Sequence, residues 1–97
     1  MSSEVTSNCD HGNLTDFNNY VRRIILRENS KIDELLIQKA GENCDRLFNL
    51  RRAAALLIHT GDTVMIEALT QDDKHFIVKI LYPAIPRLGD ILGSLLN

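Results

Sequence analysis

Apolar positions in the first sixty residues recur at the spacing of a helix, and beyond Gly61 the period shortens to two. Leu14, Phe17, Val21, Ile24 and Ile25 fall on one side of a helix A ending near Asn29, while Asp16, Asn18, Arg22 and Arg23 take other directions. Ser30 with Asp33 three residues on resembles a capping box and predicts a new start, helix B, with Ile32, Leu35, Leu36 and Ala40 as its apolar face. Gly41 interrupts, and Asn43 is placed to cap helix C, whose stripe is Leu47, Leu50, Ala54, Leu57 and Ile58 before Gly61 ends it. The stretch from Ala53 to Ile58 is apolar all round, because Leu56 points away from that stripe, so it requires cover on more than one side.

Between Thr63 and Tyr82 the alternation predicts a β-hairpin. Val64, Ile66 and Ala68 share one face, and after the polar segment from Thr70 to Lys74 so do Phe76, Val78, Ile80 and Tyr82. An even register puts Met65, Leu69, Ile77 and Leu81 on the outer face, with Glu67 and Lys79 as a cross-strand pair. Pro83 and Pro86 then end the strand and open a short terminal helix carrying Leu88, Ile91, Leu92, Leu95 and Leu96. The expected fold class is therefore α+β: three N-terminal helices on a β-hairpin, with a short C-terminal helix.

At 97 residues there is room for one core. Residues 1–13 are polar and predict a flexible leader, leaving 14–97 as the single domain. An apolar fraction of 44% and a charged fraction of 25% are those of a globular protein, and no apolar run reaches the roughly 20 residues of a membrane span. The leader lacks the basic start and apolar stretch of an export signal, which predicts an intracellular protein, cytoplasmic or nuclear. Cys9 and Cys44 are too few to suggest a disulfide framework and are expected as free thiols.

The net charge of −2 hides an asymmetry: Arg22, Arg23, Arg27, Arg46, Arg51 and Arg52 lie in the helical half, whereas the second half is acidic. The segment from Ile32 to Arg52 resembles a helix-turn-helix, with Leu36, Ala40, Gly41, Leu47 and Leu50 at the spacing of that family's buried positions. With helix A before it and the hairpin after it, the chain is similar to a winged-helix domain over roughly Leu14 to Tyr82. The resemblance implies nucleic-acid binding, with Arg46, Asn49, Arg51 and Arg52 on the second helix contacting bases or phosphates; Arg22 and Arg23 on helix A are further candidate anion contacts by charge. Ile37, Glu42 and the acids Asp72 and Asp73 at the wing tip depart from the family pattern. The same arginines also fit acidic protein partners, or a solvated helix face balanced by Glu28, Asp33 and Asp45.

Catalytic signals are weak. His59 is explained by the helix end, His75 sits beside acids, and Cys9 with His11 supplies two of the four ligands of a closed zinc site. No cofactor, metal, catalytic residue or small-molecule substrate is expected. The leading expectation is a non-enzymatic interaction or assembly protein, a homodimer or complex subunit, with Leu56, Met65, Leu69, Ile77, Leu81, Leu92 and Leu95 as its protein interface. The nucleic-acid-binding regulator is the alternative.

Overall fold

The computed structural model describes Cys9 and residues 16–96. In chain order it has α1 (Asp16–Glu28), α2 (Ser30–Ala40), α3 (Cys44–Thr60), α4 (Val64–Glu67), α5 (Gln71–Ala84), a 3-10 turn (Pro86–Leu88) and α6 (Gly89–Leu95). No strand occurs among the described residues. The α+β expectation is corrected to an all-helical domain.

The first three helices stand where the apolar period put them, though the stop and start signals differ in detail. Asn29, not Ser30, caps α2, its side-chain oxygen accepting from the Lys31 N–H at 2.9 Å. Ser30 is the first helical residue, and Asp33 turns inward instead of closing a capping box. Asn43 caps α3 as expected, accepting from the Arg46 N–H at 3.1 Å. Gly61 ends α3 in the left-handed conformation, and its N–H donates to the Leu57 carbonyl at 2.9 Å.

At 17 residues α3 is about 25 Å long, comparable to the 27 Å middle dimension of the molecule. It packs against α1, α2, α4 and α5. The apolar all-round stretch is covered on several sides: Ala53, Ala54, Ala55, Leu57 and Ile58 are buried and Leu56 is half-buried. The three alanines keep the axis slim, so neighbouring helices approach closely on different flanks.

The expected hairpin is α4 and α5. In a strand Val64, Ile66 and Ala68 would share one environment, but Ile66 is buried while Val64 is 60% exposed and Ala68 is exposed. In α5 the buried positions are Asp73, Ile77, Val78 and Leu81, followed by Ile85, spaced as on one helix face. Phe76 and Ile80 are half-buried one step around the helix, and Tyr82 is exposed. A helix apolar on two adjacent sides shows alternation in short windows, and period alone cannot then separate it from a strand. The decisive signal is Thr70, whose hydroxyl accepts from the Asp73 N–H at 3.2 Å, followed by acids in the first turn. The same polar segment has none of the Gly or Asn residues a tight hairpin turn needs.

These corrections reach the side chains expected on an outer sheet face. Ile77 and Leu81 are fully buried, and Met65 and Leu69 are half-buried against the core. Glu67 accepts a hydrogen bond from the Thr63 hydroxyl at 3.1 Å in place of a pairing with Lys79. The short terminal helix is present as α6, but its Leu92 and Leu95 are core residues. Pro83, expected to end a strand, lies instead inside the last turn of α5, where it removes one helical N–H. Phe17, expected on the inner stripe of α1, is 55% exposed.

Cys9 and Cys44 are not free thiols; they form a disulfide that ties the chain ahead of α1 to the start of α3. Spacing hid this, because the two are 35 residues apart and only the return of the chain through α1 and α2 brings them together. Apart from Cys9, the leader expected over residues 1–13 lies outside the described residues, as do Leu14 and His11.

Two measurements separate this fold from the hairpin. Ile77→Ala lowers the unfolding free energy by about 2–5 kcal/mol in urea denaturation, as for a buried large-to-small change, and a near-neutral result would place Ile77 on a surface. Thiol titration of the unreduced, denatured chain finds no reactive cysteine; finding two would refute the bridge.

Candidate protein-binding surface

The arginines expected on a basic face are largely used inside the molecule. Arg51 is 2% exposed and lies beside Asp33, also 2% exposed, with Nε donating to Oδ1 at 2.8 Å and Nη2 to Oδ2 at 3.1 Å. Arg22 of α1 adds its Nε to the same Oδ2 at 3.4 Å. Asp33 sits in the first turn of α2, where the helix dipole also favours its negative charge. One carboxylate thus joins α1, α2 and α3 through a two-point fork and a longer third contact.

A second cluster joins the end of α2 and the first turns of α3 and α5. Arg46 Nε donates to both carboxylate oxygens of Asp73 at 3.1 Å, and Lys39 Nζ lies 2.8 Å from Asp72 Oδ2. The hydrogen bond from Lys39 holds the Asp72 carboxyl below its ordinary 3.8, helped by the charges of Lys39 and Arg46. Hydrogen bonding to Asp73 raises Arg46 in turn. The acids expected at a wing tip are therefore internal partners of the would-be recognition helix. On the surface, Arg87 forks onto Glu28 at 3.0 and 3.1 Å and holds that carboxyl below its ordinary 4.5. Of the remaining candidates, Arg52 donates to Asn49 at 2.9 Å and Arg23 is exposed on α1.

The expected interface residues divide. Leu56 and Met65 line a groove between α1 on one side and α3 and α4 on the other, together with Tyr20, Val21, Ile24 and Ala55. Phe17 and Tyr20 stand beside it 55% and 45% exposed. Leu69 borders a polar cleft at the start of α3 with Asn43, Arg46, Asn49 and Asp73. Ile77, Leu81, Leu92 and Leu95 belong to the core.

A further apolar groove separates α2 from α5 and holds Ile32, Leu35, Phe76, Ile80, Pro83 and Ala84. The sequence pattern put Ile32 and Leu35 on the apolar face of helix B, Phe76 and Ile80 in a sheet and Pro83 at the strand end, so this groove was not foreseen. The signal was present in the i, i+4 pair of Phe76 and Ile80, legible once Thr70 is read as a helix cap.

Among the described residues no group of three or more His, Cys, Asp or Glu side chains is placed to hold a metal ion, and no helix is long and apolar enough to cross a membrane. Comparison of the chain with protein-family models, curated proteins and solved structures returns no match.

Removing one partner of a buried pair leaves an uncompensated charge, so Asp33→Ala costs about 3–5 kcal/mol of stability in urea denaturation. Arg46→Ala, at a part-exposed pair, costs much less. Equal losses would contradict the difference in burial between the two clusters.

Proposed function

We propose that this chain is a non-catalytic protein-interaction module that self-associates through the groove between α1, α3 and α4. The observation carrying this reading is the exposure of Phe17, Tyr20 and Val64 on elements that border a groove already containing Leu56 and Met65. Large side chains left in water beside an apolar depression mark surfaces that bury themselves on association. A ridge and a groove side by side on one surface are self-complementary: under a twofold axis Phe17 and Tyr20 of each copy fill the groove of the other.

The nucleic-acid alternative draws less support. Its second helix, α3, has Arg51 inside the domain and Arg46 bound to Asp73, which leaves Asn49 and Arg52 to meet a phosphate or a base. The segment corresponding to the wing is helical.

Sedimentation velocity across a concentration series tests the proposal. The wild-type chain is expected to shift from monomer to dimer, and Phe17→Glu with Tyr20→Glu to remain monomeric with an unchanged helical circular-dichroism spectrum. A wild-type chain that stays monomeric throughout, or a double variant that dimerises as well as the wild type, overturns the proposal.

A further inference from the structure

The groove between α2 and α5 has a chemistry of its own. Lys39 at the end of α2 meets Asp72 and Phe76 near the start of α5, while Asn29 and Pro83 from their opposite ends line the same groove, so the two helices run antiparallel with an apolar floor along their seam. Along α5 that floor extends from Phe76 to Ala84, about 12 Å. The groove encloses a volume of about 540 Å³.

Its charged rim is cationic. Lys31 and Lys79 line the groove and are exposed, and among the described residues neither ammonium has a carboxylate within ion-pair distance. Lys39, farther along the seam, lies 5.2 Å from the centre of the Phe76 ring but is neutralised by Asp72. An occupant must therefore bring apolar side chains for the floor and negative charge for the two lysines.

We propose that the α2–α5 groove binds an amphipathic helical segment of another protein, with an apolar ridge of about two turns flanked by carboxylates. The floor lies between two helices and offers no sheet edge, so an extended peptide gains no backbone pairing there, whereas a helix satisfies its own hydrogen bonds and presents its apolar side chains as one ridge. A second copy of this chain is the poorer occupant. Its other groove adds only Arg52 and His59 to an apolar lining and brings no carboxylate, and the α2–α5 groove set against itself opposes lysine with lysine. The two grooves share no lining residue, so this site and the self-association surface stand or fall separately.

The test is selection from a displayed library of random peptides of about 14 residues, some four turns of helix, on the full chain. Enriched peptides are expected to carry apolar residues at i, i+3 or i+4, and i+7 with Asp or Glu beside them. Their amide-shift perturbations map to α2 and α5, and their affinity falls about tenfold in Lys31→Glu with Lys79→Glu, a variant of two exposed residues. Several results overturn the proposal: no enrichment, enrichment without acids, or peptides that bind wild type and variant alike. Two others reassign the surface and equally overturn it. Loss of dimerisation in the lysine variant gives it to a second copy. Lysine-dependent sedimentation with phosphatidylserine-containing vesicles, without peptide binding, gives it to lipid.

Discussion

The burial of the Asp33 carboxylate against the Arg51 guanidinium is the constraint on which the arrangement of the first three helices rests. Taking both charges out of water costs several kcal/mol per ion, and only a close, two-point hydrogen-bonded geometry offsets that cost. Distances of 2.8 and 3.1 Å between α2 and α3, with Arg22 of α1 at 3.4 Å on the same carboxylate, set the relative positions of three helices more narrowly than apolar contact does. Leucine and isoleucine tolerate sliding by a fraction of a turn, whereas a guanidinium fork does not. The pair therefore favours one packing over its neighbours, whatever its net share of the folding free energy.

The same economy of charge explains why an arginine-rich half does not present a strongly basic face. Asp33 engages Arg51 and Arg22, and Asp73 engages Arg46. Internal pairing withdraws Arg51, Arg22 and Arg46 from that face, leaving Arg23 and Arg27 exposed on α1. Charge asymmetry along the chain thus maps onto helix-to-helix attraction, with acids of α5 meeting cations of α2 and α3.

How much of this was legible in the sequence depends on the segment. Helices α1 to α3 follow from one-sided apolar spacing, Asn43 and Gly61, all of which act locally. The stretch beyond Gly61 failed because Phe76, Ile77, Val78, Ile80 and Leu81 face two sides of a helix, and so mimic a strand in windows shorter than a turn or two. Thr70 and Asp73 held the correction, since a threonine followed by acids is a helix start on chemical grounds alone. Leu56 was legible from the apolar excess at the end of α3, whereas Met65 was named for an outer hairpin face that the helical α4 replaces. Asp33 reads in sequence as a capping-box acid and a solvated counter-charge to the arginines; its burial with Arg51, like the Cys9–Cys44 bridge, was not foreseen, because each depends on residues that sequence distance keeps apart and tertiary packing joins.

That bridge closes a covalent ring containing α1, α2 and both of their connections. A protease that cuts once inside the ring, at the Gly41 turn for example, creates two polypeptides that remain one molecule. The severed domain keeps its mass apart from one added water and migrates as a single species until a reductant is supplied. Backbone continuity and molecular integrity are thereby uncoupled between Cys9 and Cys44, so a break there leaves one covalent molecule for as long as the sulfurs stay joined.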